Sequence, residues 1–187
     1  MTPLPACETV ITTERTILKP LAGSDAAALF AYRSLPAVYR FQTWVPRSID
    51  DARAFILRYA VHPPTDDDDW RQLGIYCRTS EALMGDCGFR ILEQREAEIG
   101  YTVAPPRQRQ GLGTEVVRGL VSHLFEDRQL ERVMARTDPG NVASITILEQ
   151  TGFRREVPSR VTLQTGGERE GDLVFAIQRE RWTAQAR

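Results

Sequence analysis

The run Glu98-Ile99-Gly100-Tyr101-Thr102-Val103, Ala104-Pro105-Pro106-Arg107, Gln108-Arg109-Gln110-Gly111-Leu112-Gly113-Thr114-Glu115 decides how this chain is read. Its opening residues read as a strand, and the two prolines break it. Val116, Val117, Leu120, Val121, Leu124 and Phe125 then recur at helical spacing, which predicts an amphipathic helix over 112–127. A strand therefore passes through a glycine turn straight into a helix. Gly111 and Gly113 lack the Cβ atoms that would keep a ligand off the backbone. The turn amides and the helix dipole together offer a site for a phosphate or pyrophosphate. Arg107 and Arg109 flank that site, and no acid lies between Glu98 and Glu115 to cancel them. A nucleoside triphosphate loop would need Gly-Lys-Ser/Thr, yet no lysine follows these glycines. A dinucleotide fingerprint would need a third small residue where Val116 stands. On these residues alone, a plain tight turn also fits.

Outward from this segment the pattern is one of mixed helices and strands. Thr16-Ile17-Leu18 reads as a short strand ended by Pro20, and Ser24 suits the N-cap of a helix carrying Ala26, Ala27, Ala28 and Leu29. Ser48 and Asp51 have capping-box spacing before a helix whose apolar stripe is Ala52, Phe55, Ile56 and Tyr59. Strands are predicted at Leu73, Ile75 and Cys77 and over 84–91, 97–103 and 133–137, with a turn at Glu81-Ala82-Leu83. Asn141 is placed to cap a shorter helix carrying Ile145, Ile147 and Leu148, which Gly152 ends. Strands over 153–157, 161–163 and 172–177, joined by the Gly166-Gly167 turn, complete an α+β sheet domain. No repeat or long linker divides residues 1–187, so one domain is expected.

Composition narrows the function classes. With Lys+Arg 24 against Asp+Glu 25, summed charge does not favour nucleic acid or an anionic membrane as partner. No stretch approaches the roughly 18 apolar residues of a membrane span. Met1-Thr2-Pro3-Leu4-Pro5 lacks the basic segment and apolar run of a secretory signal, so a cytoplasmic location is expected. Cys7, Cys77 and Cys87 have neither disulfide-framework nor zinc-site spacing, and His62 and His123 have no metal-ligand partner at useful spacing, so no metal is expected. The aspartates at 66–69 read as a solvated loop or as an attractor for a cationic amine.

Gln108-x-x-Gly111-x-Gly113 resembles the Gln/Arg-x-x-Gly-x-Gly/Ala signature of the GCN5-related N-acetyltransferases. The resemblance extends to Glu98-Ile99-Gly100-Tyr101, to Asn141-x-x-Ser144 and to Glu149-Gln150-Thr151-Gly152-Phe153. It also takes in 13–20, Trp44-Val45-Pro46, Phe175-Ala176-Ile177 and Trp182, in order along nearly the whole chain. Together these look like the RimJ/RimL branch, which acetylates protein N-termini and other primary amines. The resemblance implies a mixed, mostly antiparallel sheet splayed at its central strand, with helices on both faces. It implies acetyl-CoA as cosubstrate, its pyrophosphate held by the amides of Arg109, Gln110, Gly111, Leu112, Gly113 and Thr114 next to the signature residue Gln108. The main chain of Tyr101 and Val103 would pair with the pantetheine arm, Asn141 would bind that arm, and the Val103 amide would stabilise the oxyanion.

An amine attacking a thioester needs no protein nucleophile. Glu98 is then the candidate general base, directly or through water; its other reading is an exposed strand-end carboxylate. Relatives carry a tyrosine near the end of the Asn141 helix that protonates the sulfur. Leu148 stands at that position here, which leaves Ser144 as the substitute, or as a packing residue. Tyr32, Tyr39, Phe41 and Trp44 fall where the family builds its acceptor pocket. The acceptor is expected to be a peptide or protein N-terminus, with a small amine such as an antibiotic or polyamine as the alternative, acted on by a monomer or homodimer. A catalytically silent acyl-CoA-binding module is the further alternative that Leu148 raises.

Overall fold

The computed structural model describes residues 9–61, 70–157 and 171–185. Among the described residues eight strands form one sheet: β1 (Ile11–Thr12), β2 (Thr16–Pro20), β3 (Arg71–Cys77), β4 (Leu83–Leu92), β5 (Glu96–Val103), β6 (Arg132–Thr137), β7 (Arg154–Glu156) and β8 (Leu173–Gln178), in the order β1-β2-β3-β4-β5-β6-β8-β7. Every pairing is antiparallel except β5 with β6. That one parallel pair requires a crossover, which α4 (Leu112–Glu126) supplies. The other helices are α1 (Ala26–Arg33), α2 (Pro36–Tyr39), α3 (Ile49–Ile56), α5 (Val142–Gln150) and α6 (Arg179–Gln185).

Alternation along the strands sends apolar side chains to both faces of the sheet. Leu18, Ile75, Cys87, Phe89 and Ile99 meet Val116, Val117, Leu120, Leu124 and Phe125 of α4. On the other face α1 and α3 close a second cluster through Leu21, Ala26, Leu29, Tyr32, Ala52 and Ile56. Helices thus cover both faces, as the resemblance implies. No helix among the described residues is long and apolar enough to cross a membrane.

Local chemistry accounts for the element ends. Ser48 Oγ accepts from the Asp51 amide at 3.0 Å, capping α3, while the Asp51 carboxylate takes the Arg47 amide at 2.8 Å. Asn141 Oδ1 accepts from the Ser144 amide at 3.2 Å, and Gly152 ends α5 at φ 91°. The expected cap at Ser24 is overturned. Residues Gly23–Asp25 form a 3-10 turn that leads into α1, and Asp25 rather than Ser24 takes the Ala22 amide, at 2.8 Å. β1, α2 and α6 are elements beyond those read from the pattern. The expected strand at 161–163 and the Gly166-Gly167 turn lie outside the described residues.

β5 and β6 pair only from Glu96↔Arg132 to Ile99↔Ala135, although β5 runs on to Val103 and β6 to Thr137. Past Ile99 the two strands part. This opening positions the site.

Candidate active site

The register states what the opening exposes. The Ala104 amide donates to Met84 O at 2.9 Å, toward β4. Alternation along an extended strand then turns the main-chain groups of Val103 and Tyr101 the other way, to the side that β6 has left. The Val103 carbonyl is taken up by Gln108 Nε2 at 2.9 Å, which ties the loop to the strand end. The Val103 and Tyr101 amides face the gap.

At the end of the gap the loop turns sharply into α4. Arg109 has φ 58° and Gly111 φ 75°, two left-handed residues within three positions. An L side chain disfavours that region, and glycine does not. Gly111 is the N-cap of α4, and the first intrahelical bond runs from the Glu115 amide to its carbonyl at 3.1 Å. The amides of Leu112, Gly113 and Thr114 therefore have no acceptor within the helix and form the positive end of its dipole. Gly113 also has a packing reason to be glycine. A Cβ there would lie 2.6 Å from Ile147 Cδ1, so the residue lets α5 pack on α4.

Glu115 does more than complement the helix dipole. Its carboxylate accepts from Thr13 Oγ1 at 2.5 Å, from the Arg15 amide at 2.7 Å and from Arg15 Nε at 2.6 Å. Burial opposes the charged form, but these donors outweigh it and hold its pKa below the usual carboxylate value. Arg15 also donates to the Gln110 carbonyl at 2.8 Å, so the strand pair at the start of the chain braces the loop from outside.

A cleft of about 780 Å³ follows the gap, lined by Tyr101, Val103, Gln108, Leu112, Asn141 and Ser144 among others. A cavity of about 220 Å³ meets it from the α1/α3 side, with Trp44, Phe55, Trp70, Glu98 and Arg136 in its wall. Both are lined by Phe41, Gln42, Tyr101, Thr102, Asn141 and Ser144, so they join at the point where the strands separate. A third groove, of about 810 Å³, runs along the outer side of α4 and is lined by none of these six.

At this junction the Tyr101 hydroxyl lies 3.0 Å from Ser144 Oγ and 3.3 Å from the Ser144 carbonyl. Burial raises the Tyr101 pKa to about 12, so the phenol keeps its proton at neutral pH. Leu148 is fully buried in the core and lends the junction no hydroxyl. Glu98 is buried rather than exposed, at 5 %. Its Oε2 accepts from Arg90 Nε at 3.0 Å and Nη2 at 2.5 Å, and its Oε1 faces Arg136 Nε at 3.4 Å. Phe41 and Trp44 line the smaller cavity, and Trp44 stacks on Phe55 with centroids 4.2 Å apart. Tyr32 is buried and Tyr39 lies on the surface.

The structure thus brings Tyr101, Val103, Gln108, Gly111, Leu112, Gly113, Thr114, Asn141 and Ser144 to one cleft. Arg109 lines the same cleft, Gln110 sits in the intervening turn, and Glu98 stands in the adjoining cavity. Sequence reasoning missed Gln42, and it missed the side-chain contact of Tyr101. Gln42 sits in an irregular loop with no periodic signal.

A strand that leaves its parallel neighbour beside a glycine-turned helix N-terminus is the arrangement that the sequence resemblance implies. Residues 15–154 match the family model of the GNAT acetyltransferase domain, and the chain belongs to that family. It is 32% identical over 176 residues to the uncharacterized N-acetyltransferase YoaA of Bacillus subtilis, covering 92% of this chain and 98% of that one. Among solved structures it resembles a GNAT-family acetyltransferase from Bacillus anthracis, with TM-score 0.78 and 21% identity over 92% of this chain and 99% of the other. A Vibrio cholerae protein provisionally named a ribosomal-protein-serine acetyltransferase superposes with TM-score 0.77 and 24% identity, covering 92% and 99% of the two chains. These two likenesses speak for the fold.

Proposed function

We propose that this chain transfers the acetyl group of acetyl-CoA to a primary amine, and that the amine is the N-terminus of a peptide or protein. The observation that carries the reading is the meeting of two cavities at the parting of β5 and β6. One has the open strand edge and helix N-terminus that suit a nucleotide-linked thioester. The other admits the acceptor from the opposite side.

In this reading the amides of Arg109 to Thr114 hold the pyrophosphate. The free edge of Tyr101 and Val103 takes the pantetheine arm as an added strand would be taken. Asn141 spends its carbonyl on capping Ser144, which leaves its Nδ2 to donate to the arm. The Val103 amide points at the thioester oxygen, where negative charge develops when the amine attacks. Ser144 Oγ, held by the Tyr101 phenol, faces the departing sulfur. A thiol with pKa near ~8.5 leaves with modest assistance, which is why Leu148 is compatible with turnover. Glu98 receives the amine proton through water at Oε1, the oxygen with the longer guanidinium contact.

The acceptor cavity, at about 220 Å³, is below the ~300–1,000 Å³ usual for drug-sized ligands. It suits one terminal residue better than a polycationic sugar. CoA release with acetyl-CoA and a panel of peptides, polyamines and aminoglycosides tests this directly. Peptide-dependent release is expected. Release with antibiotics alone favours the small-amine reading, and saturable acetyl-CoA binding without release by any amine favours a silent binding module. Glu98→Gln should lower turnover mainly at pH below the pKa of the acceptor amine, and an unaltered pH–rate profile would remove the base role.

A further inference from the structure

Asp86 of β4 and Thr102 of β5 are cross-strand partners, with side chains on the α1 face of the sheet. Asp86 is fully buried and holds Arg33 of α1 through Nε at 3.0 Å and through Nη2. Arg33 Nη1 donates to Gln42 Oε1 at 3.1 Å, and Gln42 Nε2 donates to Thr102 Oγ1 at 3.1 Å. These hydrogen bonds, with the β4–β5 backbone pairing of Asp86 and Thr102, close a ring that borders the junction of the two cavities. Guanidinium groups only donate, so the Gln42 atom facing Arg33 is the oxygen, and the amide orientation is fixed. Its Nε2 carries two protons, and Thr102 Oγ1 is its one acceptor among the described residues.

Resting on the transferase reading above, we propose that the second Nε2 proton of Gln42 binds the carbonyl oxygen of the acceptor's first peptide unit. Gln42 is thereby a specificity-determining residue, and the site selects amines that carry a neighbouring carbonyl. Gln42 lines both the cofactor cleft and the acceptor cavity, so it stands beside the reacting amine. The Arg33 charge is already paired with Asp86, so the ring presents a neutral donor. That donor suits an amide carbonyl, which lies two bonds from the amine of a peptide N-terminus. A simple alkylamine, or a polyamine whose other nitrogens are protonated, has no atom beside the reacting amine to accept it.

The test compares an alanyl tripeptide with the same peptide in which the first amide is replaced by an E-alkene, both acetylated from acetyl-CoA. The quantity read is the ratio of kcat/KM for the two peptides. The alkene changes the amine's basicity, but that difference cancels when a variant is compared with wild type. Gln42→Glu is the informative variant, because its carboxylate still accepts from Arg33 and from the Thr102 hydroxyl while lacking an N–H. The wild-type preference for the amide should fall roughly five- to tenfold in Gln42→Glu, the worth of one hydrogen bond. Gln42→Ala should show the same loss, with thermal melting to confirm its fold. An equal ratio in wild type and Gln42→Glu, or a wild-type ratio near one, overturns the proposal while leaving the transferase reading intact. Absence of CoA release from the unmutated chain with both peptides overturns the two together.

Discussion

Asp86→Ala puts the ring of Asp86, Arg33, Gln42 and Thr102 to its severest trial. Asp86 is fully buried and accepts from Tyr32 Oη at 2.6 Å, from Gln72 Nε2 at 2.5 Å and from two nitrogens of Arg33. Arg33 is itself buried, at 8 %. Removing the carboxylate leaves a guanidinium without its counter-charge and two further donors without an acceptor. Breaking one partner out of a buried pair costs about 3–5 kcal/mol. At roughly 2–4 °C per kcal/mol for a domain of this size, the melting temperature should fall by about 6–20 °C. Urea unfolding followed by circular dichroism gives the free energy, and a thermal scan gives the shift. Asp50→Ala is the control, since its pair with Arg53 is 86 % and 51 % exposed. Exposed pairs of this kind contribute about 0–1 kcal/mol. A loss below about 1 kcal/mol for Asp86→Ala, matching the control, would refute the reasoning.

Other positions separate effects that the sequence merges. Gly113→Val should destabilise the fold by about 1–3 kcal/mol of overpacking against Ile147; a normal urea midpoint with lost acetyl-CoA binding would make ligand approach the main reason for that glycine. Glu115 has a lowered folded pKa, so its stabilisation is present above the unfolded carboxylate pKa and is lost as pH falls through the folded value. Stability of Glu115→Gln should therefore fall less steeply than wild type on acidification, and parallel curves would count against the clamp on Thr13 and Arg15. Cys77 has its pKa lowered to about 6 by the Ser80 and Thr79 hydroxyls and the amides of that turn, whereas burial raises Cys87. In a Cys7→Ser background, iodoacetamide should label one thiol with a midpoint near that pH, and Cys77→Ser should abolish the labelling. Labelling of Cys87 in the native protein would contradict its burial.

What the sequence discloses divides by the range of the interaction. The helix from Leu112 and the cap at Asn141 are legible because periodicity, glycine and asparagine act within a few residues of one another. Ser24 misleads because Asp25, one position on, is the better-placed acceptor for the turn, and a local pattern does not choose between neighbours. Glu98 looks like an exposed strand end until the register sets Arg90 opposite it and β6 brings Arg136. Gly113 shows the same division, since the atom that a Cβ there would meet belongs to Ile147 on another helix. The ring of Asp86, Arg33, Gln42 and Thr102 joins two strands, a helix and a loop, and no spacing along the chain announces it.

The claim on which the rest depends is that the main-chain edge beyond Ile99 and the first turn of α4 receive acetyl-CoA. Amide chemical shifts followed by NMR during an acetyl-CoA titration measure it most directly. Saturable shifts centred on Tyr101, Val103 and residues 109–114 are predicted, with the outer groove near Val10 and Arg118 unmoved. Absence of saturable shifts, or shifts confined to that outer groove, would contradict the account.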